Sequence, residues 1–91
     1  MAIGMIMEFD GFRPENYDAV SQEIGWPENW PKGLSFHVAG ETADGMRLVE
    51  IWDSREQLDA FGEHLMPLLK DEGIELQGKP EMLEIHNIVK R

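Results

Sequence analysis

The chain has 91 residues, with 18 acidic against 8 basic side chains and a formal net charge of −10. A surface of that sign repels nucleic acid and anionic lipid and sets both aside as partners. The absence of cysteine excludes a disulfide framework and any thiolate metal site, and no stretch approaches the about 18 apolar residues of a membrane span.

A chain of this length is expected to form one domain over residues 1–91. Its 42% hydrophobic content supports a core, but a domain this small buries only about 60% of its unfolded surface. Dimerisation is then a natural source of extra stability. The opening MAIGMIMEFD has no basic flank and is too short for a signal peptide, so a cytoplasmic location is expected.

Residues 2–9 (AIGMIMEF) are apolar and read as a largely buried strand, ended by Asp10-Gly11. A helix is expected from Pro14, with Glu15 and Asp18 near its positive end and Gly25 as its stop. Tyr17, Val20 and Ile24 recur at helical spacing along it. Residues 26–33 (WPENWPKG) contain two Trp-Pro pairs and read as an extended connection, because the residue before proline avoids the helix. Residues 34–40 and 46–52 read as strands around Asp44-Gly45, a tight hairpin signal. Ser54 with Gln57 fits a capping box and opens a second helix. Leu58, Phe61, Leu65, Leu68 and Leu69 form its apolar face, Pro67 bends it and Gly73 ends it. Residues 81–89 (EMLEIHNIV) read as the last strand.

The order β-α-β-β-α-β is the ferredoxin-like pattern: an α+β fold with a four-stranded antiparallel sheet and two helices on one face. With Asp44-Gly45 as a two-residue loop, Ala39 opposes Glu50 and His37 opposes Trp52. Opposed residues share a face, so Ser35, His37, Ala39, Leu48, Glu50 and Trp52 lie together. The more aliphatic set, Leu34, Phe36, Val38, Val49 and Ile51, is expected to face the helices. That parity also sends Arg47, Leu83 and Ile85 to the helix side and Glu84 and His86 to the open face. The expected constellation on the open face is His37, Glu50, Glu84 and His86.

On the strand order and on the stretches FHVAG, DGMRLVEIWDSREQLDAF, LMPLL and HNIV, nearly the whole chain resembles the dimeric α/β-barrel superfamily. Within it, the chain is similar to the antibiotic-biosynthesis-monooxygenase-like domains. Glu50-x-Trp52-x-Ser54 ahead of a helix is the most specific part of the resemblance. The resemblance implies two ferredoxin-like sheets packed face to face and a small, often aromatic, molecule held in the barrel. Members include cofactor-independent oxygenases, haem-degrading enzymes, isomerases and proteins of unassigned activity. The haem-degrading branch uses an Asn in its first strand, and residues 2–9 contain none.

His37 is the candidate general base, since imidazole titrates near neutrality. Glu50 orients it or acts beside it, or is a solvated carboxylate paired with Arg47 or Arg55. Trp52 is a candidate stacking wall for a flat substrate, with Leu48, Glu84 and His86 as further candidate contacts. Two histidines and two glutamates can in principle ligate a metal, but no HxH or HExxH spacing is present. Neither metal nor cofactor is expected. His64 reads as a surface residue, and Trp26 and Trp30 as a pocket mouth or as packing on the sheet edge. Two functions follow. One is a cofactor-independent monooxygenase or isomerase acting on a small planar apolar substrate, with His37 as base. The other is a non-catalytic homodimer, joined through the open sheet face, that binds a small molecule or only assembles.

Overall fold

The computed structural model describes residues 2–91. In chain order the elements are β1 (Ile3–Asp10), α1 (Pro14–Ile24), β2 (Leu34–Glu41), β3 (Gly45–Trp52), α2 (Arg55–Asp71), β4 (Glu75–Leu76) and β5 (Glu81–Glu84). The sheet is antiparallel, in the order β2-β3-β1-β4, with β5 also paired to β1. This is the expected α+β ferredoxin-like architecture.

The fourth sheet position is split, so the sheet has five strands instead of four. β4 pairs with the end of β1 at Phe9 and Asp10, and β5 with its start at Ile3 to Ile6. Between them lie Gly78, with φ +68°, and Pro80, which cannot donate to a ladder. The last strand stops at Glu84 and does not run to residue 89. One further bond follows it, from the Ile85 N–H to the Ala2 carbonyl at 3.1 Å.

The helices start and stop on local signals. Pro14 opens α1, and Gly25 closes it in the left-handed conformation at φ 85°. The Ser54 hydroxyl caps α2 by accepting from the Gln57 N–H at 3.3 Å. Pro67 lies inside α2, and Gly73 follows its end at φ +71°.

The β2–β3 hairpin differs from the expected register. Its loop is Thr42-Ala43-Asp44, with Glu41 opposite Met46, Ala39 opposite Leu48 and His37 opposite Glu50. Thr42 closes the loop twice: its N–H donates to the Gly45 carbonyl at 2.8 Å, and its hydroxyl accepts from the Gly45 N–H at 3.0 Å. Gly45 therefore belongs to the strand. A bulge between Leu34 and Phe36 sets Leu34 opposite Trp52. Ser35, expected beside His37, is exposed, and its hydroxyl donates to the Ile51 carbonyl at 3.1 Å.

A larger correction concerns the faces. Beyond the bulge the parity groups are as expected, but each lies on the opposite side of the sheet; ahead of it Leu34 keeps its expected helix-side place, buried in the core opposite Trp52. The helices cover the face carrying Met5, Met7, Phe9, Leu48, Glu50 and Trp52, which packs with Val20, Leu58 and Leu69. Phe36 and Val38 lie on the uncovered face, 45% and 46% exposed. Leu83 is also exposed there, and so is Arg47, expected on the helix side. The inward set is the long one, Met, Phe, Leu and Trp, and it forms one core with the helix residues.

Candidate functional site

Three consecutive hydrogen bonds link four side chains beneath the helices. The Tyr17 hydroxyl lies 2.6 Å from His37 Nε2. His37 Nδ1 lies 2.6 Å from Glu50 Oε2, and the Trp52 indole N–H donates to Glu50 Oε1 at 3.1 Å. Each element contributes by position. α1 brings Tyr17 over the sheet, and β2 and β3 place His37 and Glu50 directly opposite each other.

Glu50 is only 3% exposed, and a buried carboxylate needs partners for both oxygens. His37 and Trp52 supply them. An ionised carboxylate only accepts, so His37 Nδ1 carries a hydrogen. In a neutral imidazole Nε2 is then free to accept the Tyr17 hydroxyl. The Tyr17 phenol supports this direction. Burial pushes it above its ordinary value of 10.0, and the nearby Glu50 carboxylate adds to the rise while the Ser21 hydroxyl opposes it. The phenol stays protonated and able to donate.

Around this chain lies a cavity of about 30 Å³. Tyr17, Ser21, Trp26, His37, Leu48 and Phe61 are among the residues that line it. Aromatic and aliphatic side chains share its walls: Trp26 stacks on Phe61 with rings 10° apart, and it meets His37 edge to face at 4.6 Å between centroids. A second cavity of about 200 Å³ lies between α2 and the β1–β5 edge, against Met5, Met7 and Met82, with Arg55 and Asp59 at its rim. Glu50 borders both.

The sequence candidates fare differently. His37, Glu50 and Leu48 come together at the first cavity, on the helix side and not on the open face. Trp52 is fully buried and lines neither cavity; it holds Glu50 and does not form a wall. Glu84 and His86 are exposed, line neither cavity, and do not join the constellation. His64 is exposed on α2, as expected. No group of three or more potential metal-ligating side chains occurs among the described residues, and no helix is long and apolar enough to cross a membrane. Sequence reasoning missed Tyr17, treated there only as a helix-face residue. As the sole tyrosine of the chain, on the buried stripe of α1, it carried a buried hydroxyl in need of a partner.

No family model and no curated protein matches the sequence. Solved structures do match along nearly the whole chain. A candidate antibiotic biosynthesis monooxygenase from Chloroflexus aurantiacus superposes with a TM-score of 0.68 at 15% identity, covering 99% of this chain and 98% of that one. The chain has the antibiotic-biosynthesis-monooxygenase-like fold. A second such candidate, from Deinococcus radiodurans, shares that fold with a TM-score of 0.61 at 16% identity, over 100% of this chain and 98% of its own. SnoaB, a cofactor-independent oxygenase from Streptomyces nogalater, gives a TM-score of 0.68 at 7% identity, over 99% and 98%. Likeness at these identities carries the fold and leaves the reaction to the site.

Proposed function

We propose that the chain is a homodimeric, cofactor-independent enzyme, an oxygenase or isomerase. It takes a proton from a small planar apolar substrate, with His37 as base and Tyr17 as its relay. The observation that carries this reading is the Tyr17–His37–Glu50 chain, with both links at 2.6 Å, set beside a cavity lined by aromatic and aliphatic side chains. A substrate O–H or activated C–H gives its proton to the Tyr17 oxygen while the phenol passes its own to His37 Nε2. The Glu50 carboxylate stabilises the imidazolium that forms. The substrate anion then reacts with dioxygen or is reprotonated at another carbon. Glu50 is the orienting group, and a positioned base of this kind is worth about 10² to 10⁴ in rate. The shared fold with SnoaB, a cofactor-independent oxygenase, supports the class of chemistry. The exposed apolar sheet face of Phe36, Val38 and Leu83 supports the dimer.

The tight packing beside His37 supports a second reading. With only about 30 Å³ free, the chain could serve as a non-catalytic homodimer whose interior is filled by its own side chains. Oxygen uptake and product formation on a panel of phenols and 1,3-dicarbonyl compounds separates the two. On an accepted substrate, His37→Ala and Tyr17→Phe are expected to lose at least about 100-fold in turnover with the native circular dichroism retained. Wild-type rates in both variants exclude the relay. A wild type inert across the panel, together with His37→Ala unfolding the chain, favours assembly.

A further inference from the structure

Histidines, aspartates and glutamates gather in no group of three among the described residues. Methionines do. Four of the chain's six, Met5, Met7, Met66 and Met82, line the about 200 Å³ cavity between α2 and the β1–β5 edge. Met46 is as deeply buried and lines neither cavity.

The strand register fixes how three of the four meet. On β1, Met5 stands opposite Met82 of β5 on one side and opposite Glu50 of β3 on the other. Opposed residues of an antiparallel sheet share a face and hold their Cβ atoms about 4.5–5.5 Å apart. Met82, Met5 and Glu50 therefore form one row across the helix-covered face, with Met7 two residues further along β1 on the same face. Met66 reaches the cavity from α2 and is 48% exposed, so a thioether also stands at its mouth.

Methionine is a flexible filler of irregular cores, but here four of them surround open space. Two properties of that space point to a cation. Thioether sulfur is a soft donor, suited to Cu(I) and unsuited to hard ions. The buried Glu50 carboxylate borders the same cavity, and the His37 imidazole is its only basic partner among the described residues. With that imidazole neutral, the negative charge is hydrogen-bonded but not compensated, and a buried charge is stabilised by a partner of opposite sign. A monovalent cation supplies that sign, and neutral sulfur ligands add no charge of their own.

We propose that this cavity binds one soft monovalent cation of the Cu(I) class, held by the thioethers of Met5, Met7 and Met82, with Met66 closing the mouth. The site stands apart from the proton relay: it needs Glu50 ionised, and neither Tyr17 nor turnover.

The test uses Ag(I), a soft monovalent ion that needs no reductant, added to the full chain in chloride-free buffer. The readout is nuclear magnetic resonance of the methionine methyl groups, labelled with carbon-13 and assigned through their own backbone resonances. One equivalent of Ag(I) is expected to move the Met5, Met7, Met66 and Met82 signals together and to leave Met46 in place. Zn(II), a less soft ion, is expected to leave all of them in place. Met5→Leu with Met82→Leu conserves volume, which cores tolerate well. That double variant is expected to keep its circular dichroism and to bind Ag(I) at least about tenfold more weakly. Ag(I) that moves no methionine signal, as binding only to the exposed His64 and His86 would, overturns the proposal. So does a shift confined to Met66, a shift that includes Met46 equally, the same response to Zn(II), or undiminished affinity in the double variant. The wild-type spectrum decides the matter even where the double variant fails to fold.

Discussion

Tyr17 is where the chemistry of the site is most directly measurable. It is the sole tyrosine, so the ultraviolet absorbance of tyrosinate reports on it alone. Its folded pKa lies above the ordinary 10.0, first through burial and then through the Glu50 charge. The sign of the pH effect follows. Between the unfolded and the raised folded value, the native state holds the proton that the unfolded chain has lost. The stability this confers is fully present below about pH 10 and falls as pH rises through the folded value. Native protein is expected to show a tyrosinate midpoint above 10.0 that returns toward 10.0 in urea. Glu50→Gln, which removes the charge and keeps the shape, is expected to bring the native midpoint part of the way down. A native midpoint at or below 10.0 contradicts the buried, hydrogen-bonded phenol. The same residue shows why the site was only partly legible. His37 and Glu50 announce themselves as titratable groups at matching strand parity, but the contact to Tyr17 depends on which face the helix covers.

The helix-facing side of β2 and β3 was the ambiguous element, and the ambiguity is physical. Both faces of the hairpin are apolar. One is aliphatic and β-branched at Val38, Val49 and Ile51; the other is long and aromatic at Leu48 and Trp52 with one carboxylate among them. Hydrophobicity alone favours the first as core, whereas the buried set is the second, with Leu48, Glu50 and Trp52. β1 held the corrective signal. Met5, Met7 and Phe9 are buried while Glu8 and Asp10 are exposed, so its inward set is the long one, and Met5 pairs with Glu50 and Met7 with Leu48. The elements themselves were legible because their ends are coded locally, by Pro14 and Gly25 for α1 and by Ser54 for α2. The hairpin loop was not, because Gly45 looks like a turn residue and is instead a strand residue pressed against its neighbour. It pairs with Asp10, and an added Cβ would overlap the Phe9 carbonyl oxygen. That atom is backbone and cannot move aside cheaply. Gly45→Ala is expected to lower stability by about 1–3 kcal/mol in urea unfolding. An unchanged midpoint would mean that β1 and β3 do not approach this closely.

At the scale of the whole molecule, the inverted faces change what a dimer would bury. The helix side is consumed by the chain's own core, so the surface left for a partner is the outer sheet face, with Phe36, Val38 and Leu83 each close to half exposed. These residues form one contiguous strip across β2, β3, β1 and β5 with Ile6, Val49 and Ile51 between them. Hydrophobic attraction across such a strip acts against a long-range opposition: each chain carries a net charge of −10, and two copies repel. Salt screens the repulsion and leaves the apolar contact intact. Association is therefore expected to tighten with ionic strength, the reverse of an interface held by ion pairs. Sedimentation equilibrium at micromolar concentration is expected to give twice the chain mass of 10.4 kDa, with less dissociation at high salt than at low. Val38→Asp is the matched control. Its side chain is already 46% exposed in the isolated chain, so the single fold tolerates the charge, whereas a dimer would have to bury it twice. A variant that keeps its circular dichroism but sediments as a monomer locates the interface on this face. A Val38→Asp chain that stays dimeric, or a wild type that is monomeric at both salt concentrations, leaves the strip without a second copy.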